Sequence, residues 1–119
     1  MKVIAGAGEF TAPKAGQQTD WVEHLRVSDL SVGTYSIPAG RTDGQSPHTE
    51  DEIYVVMAGR GTLESGGESA DVGPGSVLYV PAGEVHRFTA ITADLALLVL
   101  FAPAEESRGG AGSSGPVSA

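Results

Sequence analysis

Short apolar runs rich in β-branched and aromatic residues alternate with polar breaks carrying glycine or proline along most of this chain. Trp21–Val27 alternates loosely and predicts a strand, followed by a turn over 28–32 and a second strand over Gly33–Ile37. Pro38-Ala39-Gly40 stops that strand, and a polar loop with an Asp43-Gly44 turn signal leads to an apolar run from Glu52 to Met57. Ala58 to Gly61 closes the run. Gly61–Ser65 and Glu68–Val72 flank Gly66-Gly67, the dipeptide that a primed hairpin turn favours. Further strands are predicted over Ser76–Val80, His86–Ile91 and Leu95–Phe101, with Thr92-Ala93-Asp94 as a turn between the last two. About eight short strands with regular turns, and no defensible helix, predict an all-β sandwich or barrel.

The flanks differ. Residues 1–20 carry Gly6, Gly8, Pro13 and Gly16 and predict an extended arm with at most one short strand. Residues 21–103 form the predicted β-domain. From Ala104 onward apolar content almost vanishes, so 104–119 reads as a flexible tail in which Glu105 and Glu106, like Glu9, are solvated charge.

Composition narrows the function. At 119 residues the chain fits one domain with a core of its own. With no cysteine, disulfides, thiolate catalysis and cysteine-based metal sites are excluded, which suits a cytoplasmic protein. A net charge of −8 with seven scattered Lys and Arg leaves no basic face for nucleic acid or anionic membranes. The apolar run Leu95 to Ala102 is far too short to span a bilayer.

The candidate chemistry lies in two stretches, Gly40–Gly59 and Gly75–Thr89. The first sets His48 and Glu52 four residues apart ahead of an apolar run, and the second opens a strand with His86. Two imidazoles and a carboxylate are a common ligand set for first-row metals. Strand parity puts Ser46, His48, Glu50, Glu52, Tyr54 and Val56 on one face, so an inward His48 brings Glu52 with it. Ile53, Val55 and Met57 then face outward. Phe88 shares the parity of His86 and is expected to wall the pocket. A carboxylate aimed into an apolar interior needs a counter-charge, which a divalent ion supplies. Tyr35, Gln45, Glu50, Tyr54 and Arg87 are candidates for supporting the ligands, although Glu50 is also read as a solvated loop carboxylate beside Asp51. Tyr35, Tyr54, Tyr79 and Phe88 are read first as core, Trp21 as an anchor of the first strand or of a dimer face, and His24 as structural.

These stretches resemble the two motifs of the cupin superfamily. In the first, Gly40, five residues, Ser46, Pro47, His48, three residues, Glu52, six residues and Gly59 keep the family spacing, with Ser46 where the family has its first histidine. In the second, Gly75, five residues, Pro81, Ala82, Gly83, two residues, His86, three residues and Ala90 do the same, with Ala90 in place of asparagine. The resemblance implies a single-domain jelly-roll β-barrel, often dimeric, with the motif side chains turned inward onto a divalent transition metal (Fe2+, Mn2+, Ni2+ or Zn2+). His48, Glu52 and His86 then look like the 2-His-1-carboxylate set of non-haem iron oxygenases, with Tyr35, Ser46, Tyr54 and Phe88 lining the substrate pocket. The expectation is a homodimeric metalloenzyme acting on a small organic substrate, as an Fe(II) dioxygenase or as a Lewis-acid isomerase, lyase or cyclase. The alternatives are a non-catalytic small-molecule binder and a metal-free cupin lyase, isomerase or cyclase that uses His48 or His86 as general base.

Overall fold

The structure is a computed structural model that describes residues 1–44 and 47–107. Among those residues there are six strands and no helix: β1 (Asp20–Val27), β2 (Leu30–Ile37), β3 (Asp51–Ser65), β4 (Glu68–Val72), β5 (Val77–Val80) and β6 (His86–Ala102). All pairings are antiparallel, in the order β1-β2-β6-β3-β4, with β5 on the free side of β3. This is the all-β architecture that the turn spacing predicted, arranged as the jelly roll that the motif resemblance implied.

The strands are fewer than expected because two predicted breaks lie inside strands. Gly59 and its neighbours do not end β3, and Thr92-Ala93-Asp94 is not a turn but part of β6. β3 and β6 pair along nearly their whole lengths, and the irregularities fall between Val56 and Thr62, opposite Leu97 to Thr89. Bulges bend a strand without ending it. Gly59 sits there at φ +92°, and a Cβ on it would lie 2.2 Å from the Asp94 carbonyl oxygen, so the bend requires glycine. Ala90, at φ 49°, occupies the left-handed region on the facing strand. Before the bend β3 pairs with β5 and after it with β4, while the C-terminal half of β6 pairs with β2, which carries β1 at the sheet edge.

The bulges also shift the inward parity. Glu52, Tyr54 and Val56 are buried before the bend, and Gly61 and Leu63 after it. On β6, Phe88 is buried on one side and Leu95, Leu97, Val99 and Phe101 on the other. Together with Tyr35, Ile37, Val72, Val80 and Ile91 these form one apolar cluster, against which Trp21 and Leu78 pack. Trp21 packs onto Gly33, where a Cβ would come within 2.2 Å of the indole. Its ring meets Tyr35 and Phe101 edge-on, so Trp21 does anchor β1.

Other expectations need correction. The second strand starts at Leu30, which shortens the predicted turn. The N-terminal arm contains no strand; instead the amides of Gly8 and Thr11 donate to the side-chain oxygens of Thr34 and Ser36 on the outer face of β2. Tyr79 is not core: it is 59% exposed, because β5 is a short edge strand whose alternate side chains face out. Residues 104–107, predicted as tail, form a turn packed on the domain; 108–119 lie outside the described residues.

Candidate metal centre

His48, Glu52 and His86 meet inside the fold, 4%, 1% and 3% exposed. One possible ligand atom from each lies within 4.8 Å of the others. Metal bonds of about 2.0–2.2 Å place three ligands within that reach of one ion.

Each residue is held differently. Glu52 sits on β3 between Val80 of β5 and Phe101 of β6, so the sheet fixes its direction. His48 precedes β3; its carbonyl accepts from the Gly83 amide at 2.7 Å, while the Asp51 carboxylate accepts from the Ala82 amide at 2.9 Å. The Pro81-Ala82-Gly83 turn is thereby tied to the segment carrying His48, which brings the two motif stretches together. The His48 ring rests against Phe101, with centroids 4.8 Å apart. His86 opens β6 opposite Ser65, and its Nδ1 lies 2.8 Å from the Glu84 carbonyl oxygen. A carbonyl only accepts, so Nδ1 carries the proton and Nε2 of the neutral ring is a lone pair. That Nε2 faces the Tyr54 hydroxyl at 3.0 Å and Glu52 Oε1 at 3.1 Å.

The Glu52 contact sets the electrostatics of the site. The distance suits an ion pair, but neither Glu52 oxygen has a hydrogen bond. An acceptor nitrogen and an acceptor oxygen facing each other at 3.1 Å repel unless a proton or a metal cation lies between them. His48 Nε2 and Glu105 Oε2 are also buried without a hydrogen bond. Four such atoms in one interior carry a large desolvation cost if nothing compensates them. The charge count agrees: Asp43, Glu50, Glu52 and Glu105 are buried, and no Lys or Arg is buried among the described residues. The donor set and the orphaned atoms therefore fit a divalent cation.

The titrations respond to the same crowding. Burial alone would lower the His86 pKa, but contact with the Glu52 carboxylate outweighs it and the net shift is upward. Burial pushes Glu105 up to about 8, aided by the negative charges of Glu106, Glu23 and Glu52.

The predicted pocket residues divide. Tyr54 touches His86 and stacks edge-on against Phe88, so both wall the site. Tyr35 is fully buried, but its hydroxyl donates to Asp43 Oδ1 at 2.6 Å. Ser46 and Gln45 lie outside the described residues. Arg87 is exposed and points away from the interior. Glu50, read as a solvated carboxylate, is buried, accepting from the Thr49 hydroxyl and the Glu106 amide. His24 is structural, 2.6 Å from the Thr34 hydroxyl.

Two residues escaped the sequence reading. Asp43 looked like a turn residue, yet its carboxylate also accepts from the Phe88 amide at 2.8 Å, pinning the loop into the interior beside His86. Glu105 looked like tail charge, yet it is 4% exposed with Oε2 3.7 Å from His48 Nδ1. A groove of about 450 Å3 lies at the β3–β4 turn, lined by Glu64–Ser69 and Val85–Arg87; of the three candidate ligands only His86 borders it.

Comparison with known proteins agrees with the fold. The family model described as "Cupin domain" matches residues 33–102. A protein of Streptomyces coelicolor described as uncharacterized is 44% identical over 97 residues, covering 82% of this chain and 92% of its own. Among solved structures, KdgF from Halomonas sp. superposes with TM-score 0.68 at 22% identity, covering 76% of this chain and 84% of that one. The DMSP lyase DddQ from Ruegeria pomeroyi gives TM-score 0.68 at 19% identity, covering 86% of this chain and 54% of that one. At such identities the structural likeness speaks for the fold.

Proposed function

This chain belongs to the cupin family, and from that membership we propose that it is a metal-dependent enzyme acting on a small organic substrate. His48 and His86 are the neutral donors to the ion and Glu52 the anionic one. The observation that carries this reading is the Glu52 carboxylate, buried with no hydrogen bond to either oxygen while Oε1 faces His86 Nε2 at 3.1 Å. Three protein ligands leave positions open for a chelating substrate, and with iron also for O2, which makes an Fe(II) dioxygenase the first candidate; a redox-inert ion supplies Lewis-acid chemistry for isomerisation, lysis or cyclisation.

The chain's own residues supply the rest. Tyr54, Phe88 and Phe101 surround the ligands with rings that exclude water. The Tyr54 hydroxyl holds a proton 3.0 Å from His86 Nε2, placed to hydrogen-bond a substrate oxygen once His86 is engaged by the ion. The Glu84 carbonyl keeps the His86 tautomer fixed.

One other reading has an observation in its favour. A carboxylate 3.1 Å from His86 Nε2 also favours proton uptake at that nitrogen, so His86 Nε2 would serve as the general base of a metal-free lyase, isomerase or cyclase with Glu52 stabilising the imidazolium. Metal analysis of untagged protein reconstituted with Fe2+, Mn2+, Ni2+ or Zn2+ separates the two. About one ion per chain, lost in His48→Ala, supports the metal reading; no retained ion favours the general base if substrate turns over, or a non-catalytic binder if it only binds.

A homodimer in the cytoplasm completes the proposal. On the outer face, Val32, Leu100, Ile53 and Tyr79 lie in one cross-strand row, and Leu98, Val55 and Val77 in the next. Exposed Val77 and Tyr79 at one end of these rows offer apolar surface to a second copy. Light scattering at micromolar concentration giving twice the chain mass supports this, and a monomer mass contradicts it.

A further inference from the structure

The turn that follows β6 is fastened over the site from several directions. The Glu105 amide donates to Ser31 Oγ at 2.8 Å, and the Glu105 carbonyl accepts from Arg26 Nη1 at 2.8 Å. The Glu106 amide donates to the buried Glu50 carboxylate, and Ser107 closes the turn onto the Ala104 carbonyl at 2.9 Å. β1, β2 and the segment before β3 thus all contribute a partner. With its backbone fixed this way, Glu105 turns its carboxylate into the interior, where Oε2 is buried without a hydrogen bond 3.7 Å from His48 Nδ1.

The two histidines then compare closely. The His86 Nδ1 proton goes to the Glu84 carbonyl, two residues away, which leaves Nε2 directed at Glu52. His48 Nε2 is likewise buried without a hydrogen bond. The acceptor facing its Nδ1 is Glu105, 57 residues away in sequence. Glu105 is outside the compact three-residue group, so it stands beside the site rather than in it.

The geometry points to Glu105 as a positioning residue. Its carboxylate accepts the Nδ1 proton of His48, fixes that ring's tautomer, and holds Nε2 as a lone pair facing Glu52 and His86. A movement of less than about 1 Å brings the pair from 3.7 Å into hydrogen-bond range. A carboxylate behind a ligating imidazole orients the ring and raises its donor strength. This inference rests on the metal reading for its purpose, but the tautomer it requires is a property of the protein with or without an ion.

The experiment compares wild type, Glu105→Gln and Glu105→Ala in the full chain. Metal-free protein labelled with 15N on histidine and held above the Glu105 pKa of about 8, where the carboxylate is ionised and can only accept, gives the ring tautomers by NMR, with His86 as an internal control held by Glu84. The expected result is His48 as the Nδ1–H form in wild type and in Glu105→Gln, whose amide oxygen still accepts, and a shift toward Nε2–H in Glu105→Ala while His86 stays unchanged. Zn2+ affinity by calorimetry is expected to fall by about 10–100-fold in Glu105→Ala and to recover most of that loss in Glu105→Gln. His48 signals identical in all three proteins would overturn the inference, as would an unchanged Zn2+ affinity in Glu105→Ala. A wild type that binds no ion but shows the Glu105-dependent tautomer would leave the positioning role standing and defeat the metal reading instead.

Discussion

The interior has two ends with opposite chemistry. Around Ile37, Val56, Leu63, Val72, Ile91 and Leu95 it is apolar, and the bulged turn of β3 and β6 wraps side chains of conventional core type. Around Glu52 it holds two imidazoles, three glutamates and an aspartate under the same sheets. Asp43 and Glu50 are hydrogen-bonded there. Glu52, His48 Nε2 and Glu105 Oε2 are not. The first end stabilises the fold by removing apolar surface from water. The second works against the fold until something positive enters, and that is the mark of a binding site placed inside a core.

Substitutions at the two ends should therefore separate stability from binding. The largest effect expected is at Glu52: Glu52→Gln should abolish retention of a divalent ion, read by metal analysis after dialysis, while the metal-free protein melts no lower than wild type because a buried unpaired charge is gone. Leu97→Ala at the apolar end should do the reverse. It should cost about 2–5 kcal/mol in denaturant melts, while the folded fraction still takes up an ion stoichiometrically. A Glu52 variant that unfolds, or a Leu97 variant that folds well but loses its ion, would break the distinction.

The pH response sharpens it. In metal-free protein the Glu105 pKa stands near 8 against its usual 4.5, so the folded state takes up a proton that the unfolded state releases. That contribution to stability is complete below about 4.5 and is lost as pH rises through about 8. His86, shifted upward from 6.5, acts in the same sense. The metal-free melting temperature should thus fall between pH 5 and pH 8. The extra stabilisation from added Zn2+ should grow over the same range, because the ion competes with protons for its ligands. The smallest effect is expected from Tyr54→Phe, which removes one hydrogen bond to His86 Nε2 at 3.0 Å. Stability should change by about 0.5–1.5 kcal/mol, with ion retention intact.

The sequence carried the local rules and not the long-range ones. The glycine and histidine spacing of the two motif stretches was legible as a pattern, and the shared parity of Glu52 and Tyr54 because a strand repeats every two residues; His48 precedes β3, and its carbonyl is tied to the Gly83 amide. The continuity of β6 through Thr92-Ala93-Asp94 was not. Small polar residues look like a turn, and only pairing with the bulged half of β3 makes them strand. Tyr79 misled because burial of a strand residue depends on what covers its face, and β5 is an edge. Glu105 was unreadable because its place depends on Ser31 and Arg26, more than 70 residues earlier.

A crystal of untagged protein reconstituted with Zn2+, measured on both sides of the zinc absorption edge, tests the central claim most directly. The account predicts a single anomalous peak inside the fold, about 2.0–2.2 Å from one atom each of His48, Glu52 and His86. An interior without a peak, or a peak held by other residues, would contradict it.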